Sequence, residues 1–189
     1  MDKLINLKNI NLPIPNNKPI ILDHFCISIG DCIQIVAPSG RGKSYFYHTL
    51  LGMTEMAPII FGNEGHLSNL FGYLPASLPF YSETVLDELK RVHVTANQIN
   101  FFIEEGLINN EFLSYKCKNL SSGQNQLLIL LRGLISTKPI LIMDELMNAM
   151  DQERKNFIFD IVFKKILKNR AIIFSIHENF EHNYSKIKF

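Results

Sequence analysis

The sequence predicts an α/β fold: a mainly parallel core sheet, a small antiparallel β subdomain at the N-terminus, and a short inserted helical subdomain. Three stretches predict it. Ile33–Val36 (IQIV) is a strand-like apolar run that leads into APSGRGKS and then a helix-like run closing at Gly52. Further on, PILIMDEL is a continuous apolar run ending in two acids, which suits a parallel strand buried on both faces with its carboxyl end at a ligand crevice. From Thr84 onward the hydrophobic period changes from that of strands to that of helices, which marks the insertion.

The elements follow in order. Lys3 to Ile29 alternates in short β-like runs, LINLKNI then IIL and FCISIG, broken at PIPNNKP. Pro and Asn mark the turn, so an antiparallel hairpin leaning on the Ile33 strand is expected. Tyr45–Leu51 reads as a short helix with Gly52 as its C-cap. Strands are expected at 59–61 and 71–74 in an otherwise loop-rich stretch. Thr84 caps a helix through Arg91, and Thr95 with Gln98 has capping-box spacing for a second helix ending near Gly106. A third short helix or turn falls at 107–113, and the stretch 84–118 is the nucleus of a helical subdomain that extends to about 135. Ser121 opens a strongly apolar helix through about Ile135. A helix over Gln152–Lys168, the strand AIIFS and a last short strand in KIKF complete the chain.

With 189 residues the chain supports one filled core and is too short for two full domains, so a single domain over 1–189 is expected. The balance of 19 basic against 18 acidic residues asks for no nucleic-acid partner. The apolar fraction is 47%, within the globular range. No apolar run reaches the roughly 18 residues that a bilayer span needs, so any membrane link is expected through a partner. The opening MDKLINLKN has no long apolar region, which predicts a cytoplasmic chain. Cys26, Cys32 and Cys117 lack metal-ligand spacing and read as reduced, mostly buried small apolar residues. Lys164, Lys165, Lys168 and Arg170 sit at the end of a long helix, where a solvated face and the helix dipole account for them.

The glycine loop carries the first chemistry. Backbone N–H groups from Ser39 to Ser44 can form a nest over a helix N-terminus and point at phosphate oxygens. Lys43 can reach the β- and γ-phosphates of a nucleotide, and the Ser44 hydroxyl can ligate Mg²⁺. Gly40 and Gly42 let the backbone wrap closely, while Ala37 stands where such loops begin with glycine and is accommodated only at negative φ. Asp144, at the end of its strand, can hold Mg²⁺ opposite Ser44, and Glu145 supplies a second acid to orient or deprotonate an attacking water. His177 follows another buried strand and arrives at the same crevice edge, unlike His24, His48, His66, His93 and His182.

The order APSGRGKS, LSSGQ at Leu120–Gln124, ILIMDE at Ile140–Glu145, NAMD at Asn148–Asp151 and SIH at Ser175–His177 resembles the nucleotide-binding domain of the ATP-binding cassette family over nearly the whole chain. The resemblance implies a P-loop NTPase fold and a Mg²⁺-dependent ATPase, with ATP and Mg²⁺ held by Ser39, Gly40, Arg41, Gly42, Lys43, Ser44, Tyr45 and Asp144. It implies catalytic parts for Lys43, Glu145 and His177. It also implies a head-to-tail dimer, with itself or another such ATPase, in which Leu120, Ser121, Ser122, Gly123 and Gln124 cover the partner's ATP while Asp151 links the two sites. A separate transmembrane permease would use the hydrolysis for transport, placing the chain at the cytoplasmic face of a membrane.

Three positions depart from the family pattern. Ala76 stands where a glutamine contacts Mg²⁺ and the attacking water; Ile14 replaces the aromatic that stacks on adenine; Ala37 replaces the leading glycine. Together with a compact helical region, these imply slow turnover. The segment from Ala76 through Val85 resembles exporter-type cassettes, and Phe80 and Tyr81 either line a groove for the permease or pack within the helical subdomain. Two further classes fit the motifs: a soluble cassette ATPase acting on translation or DNA machinery, and a module that binds ATP only to assemble.

Overall fold

The structure, a computed structural model, describes residues 3–57, 67–176 and 184–189. The chain divides into two compact units. The first runs to Tyr73 and adds Lys138–Asp144 and the chain from Leu167 onward; the second comprises Leu74–Thr137 and Glu145–Ile166.

In the first unit, β1 (Lys3–Leu12) and β2 (Ile20–Ser28) pair antiparallel, as the alternating N-terminal runs predict. Their turn passes through Asn16 at φ +58°, a conformation asparagine tolerates better than most residues. One face of this ribbon is apolar, with Ile5, Ile10, Leu12, Ile20, Phe25 and Ile27 all buried. They share a core with Ile33 and Ile35 of β3 (Cys32–Val36) and with Phe46, whose ring meets Phe25 edge-on at 5.5 Å. Phe46 belongs to α1 (Lys43–Leu50), which starts two residues earlier than the apolar pattern suggests; Gly52, at φ +74°, follows its last turn as expected. The strand expected at 59–61 lies outside the described residues.

The main sheet has the order β4-β5-β6-β3-β7, with β4 at Phe71–Pro75, β5 at Ile140–Asp144, β6 at Ala171–Ser175 and β7 at Ser185–Lys188. β3, β5, β6 and β7 run parallel. Every residue of β5 and β6 is buried, which explains why both read as unbroken apolar runs with no alternation. Parallel neighbours end at the same edge, so Asp144 stands in register with Ser175, and β3, beside β6, delivers the glycine loop to that edge. Cys32 and Cys117 are buried and unpaired, and burial, with Asp31 adding to it, pushes the Cys32 thiol up to about 12. Cys26 is only half-buried.

The second unit is helical. Its helices are α2 (Val85–Arg91), α3 (Ala96–Glu104), α4 (Ser122–Ile135) and α5 (Gln152–Ile161). The Thr84 hydroxyl caps α2 by accepting from Asp87 N–H, and Thr95 and Gln98 form the complete capping box expected before α3. The short helix or turn expected at 107–113 is a 3₁₀ turn, Glu111–Ser114. The helix expected to run to Lys168 stops as an α-helix at Ile161 and continues as a π-helical stretch, Val162–Ile166. At its end Lys164 pairs with Asp160 at 3.7 Å and Lys165 with Glu105 at 3.2 Å, in keeping with a solvated basic face.

α4 lies so close to Leu74 that a Cβ on Gly133 would fall 2.5 Å from Leu74 Cδ1. Leu74 is itself buried. Gly133→Ala is therefore expected to destabilise the chain by about 1–3 kcal/mol through overpacking, despite alanine's better helix propensity. A urea titration checks this: the midpoint falls at unchanged slope.

Candidate functional site

The glycine loop leaves β3 and enters α1 through two left-handed residues, Gly40 at φ +73° and Gly42 at φ +105°. Ala37 has no positive φ, which is the condition for a side chain there. Its carbonyl accepts from Lys43 Nζ at 3.1 Å, so this largely buried ammonium arches back over the loop. Two ties fasten the loop to the β1–β2 turn. Asn17 Nδ2 donates to Gly40 O at 2.9 Å, and the Arg41 guanidinium donates to the carbonyls of Lys18 and, at 3.2 Å, Pro19. Ile14, where the resemblance expects a ring, is buried against Gly42: a Cβ on that glycine would lie 3.0 Å from Ile14 Cδ1. Ile14 thus packs on the phosphate loop itself.

Ser44 and Asp144 come together as expected. Ser44 Oγ donates to Asp144 Oδ2 at 2.9 Å, joining the first turn of α1 to the end of β5. Two further hydroxyls converge on the same carboxylate, and sequence reasoning gave neither a role. Tyr73 Oη donates to Oδ2 at 2.9 Å, and Ser175 Oγ donates to Oδ1 at 3.0 Å. Asp144 is 8% exposed, and a carboxylate so buried needs such donors. Burial, then the charge of Asp144 and their hydrogen bond, drive the Tyr73 hydroxyl well above its ordinary range. It therefore remains a protonated donor at any working pH. The available signal for Ser175 was a polar residue ending an apolar strand beside that of Asp144. Tyr73 carried no such signal, because the strand order that makes β4 the neighbour of β5 is not written locally.

The donor set fits Mg²⁺. A serine hydroxyl and a carboxylate, 2.9 Å apart at the N-terminus of a helix, are hard oxygen ligands of the kind that share this ion with phosphate oxygens and water. The open, glycine-lined loop beside them offers the N–H groups that a triphosphate requires.

In the second unit Glu145 takes φ +54°, uncommon for a residue with a side chain, and opens a turn in which Asn148 N–H donates to its carbonyl at 3.2 Å. Buried Leu146, Met147 and Met150 anchor that turn. Asp151 ends it as the N-cap of α5, accepting from Arg154 N–H at 2.7 Å. Ser121 and Gln124 form a reciprocal capping box at the start of α4, which leaves Ser121 and Ser122 exposed. Ser121, Ser122, Gly123, Gln124 and Asp151 line an open cavity of about 320 Å³. Ala76 is exposed, with Leu120 half-buried before α4 and Tyr45 half-buried in α1. His177 lies outside the described residues, as do His66 and His182.

A family model described as "ABC transporter" matches residues 23–148, a span that includes the glycine loop, the LSSGQ segment and both acids. The chain belongs to the ABC transporter family. It is similar to a zinc import ATP-binding protein, ZnuC, of Wolbachia pipientis wMel, at 30% identity over 189 aligned residues, covering 91% of this chain and 74% of the relative. The ZnuC of Psychrobacter arcticus is 26% identical over 165 residues, covering 85% and 67%. Among solved structures, a putative ABC transporter ATP-binding protein from Pyrococcus furiosus shares the fold at a TM-score of 0.79 and 17% identity, covering 97% of this chain and 96% of that one. A putative metal-chelate type ABC transporter in an inward-facing conformation matches at 0.68 and 18% identity, over 94% and 74%. The chain is thus a P-loop ATPase that binds and hydrolyses ATP with Mg²⁺, the ATPase subunit of an ABC transporter that pairs with a separate membrane permease. Such subunits work as dimers.

Tyr73→Phe removes one of the two hydroxyls on Asp144 Oδ2 and frees the carboxylate to change its orientation. The Mg²⁺ concentration for half-maximal hydrolysis is expected to rise about tenfold, the lower end for lost outer-sphere hydrogen bonds at metal sites. ATP binding without Mg²⁺ should stay as it was; a Mg²⁺ titration with a nucleotide-binding control reads both.

Proposed function

We propose that the chain hydrolyses ATP in a composite site shared by two subunits. The observation that carries this reading is the bond from Ser44 to Asp144 at the mouth of a left-handed glycine loop, a ready Mg²⁺–triphosphate cradle in one subunit. Backbone N–H groups over Ser39–Tyr45 hold the phosphates, and Lys43 moves from the Ala37 carbonyl to the β- and γ-oxygens. Ser44 and Asp144 would hold Mg²⁺, which when bound would supply neutralisation of the negative charge developing on the phosphates. Glu145 orients the attacking water and takes its proton, and His177 contacts the γ-phosphate. The second half comes in trans: Leu120–Gln124 of the other subunit, of the same or another ABC ATPase, present the first turn of α4 to the γ-phosphate. Asp151 carries the state of one site to the other.

ATP binds the closed dimer better than the open one, so binding closes it and hydrolysis releases it. The Ala76 side chain offers no polar atom to the water, which makes turnover slow. The subunit works at the cytoplasmic face of a membrane; among the described residues no helix is long and apolar enough to cross one. For cargo we take a divalent metal ion moved inward, on the strength of the zinc import relatives, in place of the export direction that the segment after Ala76 favours on sequence.

The test is Mg²⁺-ATP hydrolysis against protein concentration, with oligomeric state read in the same samples. The expected rate is low and rises more steeply than linearly. Lys43→Ala abolishes it with nucleotide binding, whereas Glu145→Gln abolishes turnover, by at least about a hundredfold, and accumulates an ATP-bound dimer. ATP-driven dimerisation with wild-type turnover at background would favour the assembly module instead.

A further inference from the structure

One buried polar side chain outside the phosphate cradle has no part in the steps above. Gln126 lies in α4 and is 5% exposed. Its Nε2 donates to the carbonyl of Ala76 at 3.3 Å, and its Oε1 accepts from the N–H of Ala149 at 3.0 Å. Carrying a donor and an acceptor on one planar group, a glutamine can join two backbone segments at once. Here the segments are the one that follows β4 and the turn 145–151.

Neighbouring contacts make the arrangement a frame. Gly123, one helical turn before Gln126, approaches the other backbone group of Ala149: a Cβ there would lie 3.1 Å from the Ala149 oxygen. Both the N–H and the C=O of Ala149 therefore face α4. Farther along the same helix, Arg132 pairs with buried Glu88 at 3.1 Å, and the other Glu88 oxygen accepts from Ser82 N–H at 3.3 Å. The Arg132 guanidinium also sits 5.8 Å from the centre of the Phe80 ring. So α4 holds residues 76–82 at both ends and holds the turn 145–151 at Ala149. Side chain 76 is a methyl, so the main-chain carbonyl is what this position offers α4.

We propose that Gln126 is a positioning residue that couples residues 76–82 to the turn bearing Glu145 and Asp151. A displacement of the first segment reaches the second through the two ends of one amide. Gln126 touches no nucleotide; it sets where the Ala149 peptide sits, and with it the turn that presents the proposed base and the inter-site aspartate. The inference rests on the composite-site reading and adds to it the link between the segment after Ala76 and the chemistry.

Gln126→Met and Gln126→Glu in the full chain test this. A protonated glutamate reproduces both contacts, its O–H donating to Ala76 and its carbonyl oxygen accepting from Ala149; an ionised one can only accept, and lets go of Ala76. The ratio of Gln126→Glu to wild-type kcat is therefore expected to fall as pH rises through that carboxyl's titration. For Gln126→Met the ratio is low at every pH, by about tenfold, as a lost buried hydrogen bond implies. ATP affinity stays within about twofold of wild type in both. Hydrogen exchange at the Ala149 amide should be about tenfold faster in Gln126→Met at matched pH. A Gln126→Glu ratio that is flat at the wild-type level, a Met variant with wild-type kcat, or ATP affinity lost in step with kcat would overturn the proposal. If the wild-type chain itself fails to turn over ATP, the composite-site reading is what fails. Exchange at Ala149 then decides the clamp alone: unchanged exchange rejects it.

Discussion

A buried carboxylate and its three hydroxyl donors organise the phosphate side of this protein. Burying the charge of Asp144 would be costly without partners, and its partners come from three different elements: Ser44 from α1, Tyr73 from β4 and Ser175 from β6. β4 and β6 flank β5 in the sheet, while β3, next after β6, launches the loop that carries Ser44. The order of strands is thus what lets one aspartate collect all three. Three hydroxyls on its two oxygens fix the orientation of that carboxylate.

What could be read from the sequence was mostly local. The capping box at Thr95–Gln98 and the Thr84 cap were legible because each is a bond between residues three apart, made by side chains that compete for backbone N–H groups. β5 and β6 were legible because burial on both faces leaves an unbroken apolar run. The glycine loop was legible because positive φ at positions 40 and 42 admits little else. The change to a π-helical stretch after Ile161 was not, since the apolar spacing continues past it and the departure lies in hydrogen-bond register rather than residue type.

Polar contacts between distant segments were the larger omission. A tyrosine in GYLP reads as a strand residue, and a glutamine inside LSSGQNQLLILL reads as an ordinary helix former. Nothing within a few positions of Tyr73 or Gln126 says that one will face Asp144 and the other will take the backbone of Ala76 and Ala149. Those partners lie 71, 50 and 23 positions away in the chain. Ser121 and Gln124 show the converse. Both were expected to meet a nucleotide of the partner, and both already have a local duty as the cap of α4. The two are compatible, because the reciprocal cap fixes the first turn of the helix and leaves its exposed N-terminus in the defined shape that an anion site requires.

The passage from Asp144 to Glu145 joins these observations. The peptide bond between them is also where the chain leaves one compact unit for the other. On one side the carboxylate is held by hydroxyls of its own unit; on the other, Glu145 takes a left-handed conformation that costs an ordinary residue about 1–2 kcal/mol. Such strain persists only where surroundings over-determine it. The surroundings are present: three buried apolar side chains in the turn, the Asp151 cap at its end, and α4 on both backbone groups of Ala149. Asp144 and Glu145 are consecutive in sequence yet belong to different units. The left-handed residue turns the chain between them, and the ties at Ala149 hold that turn.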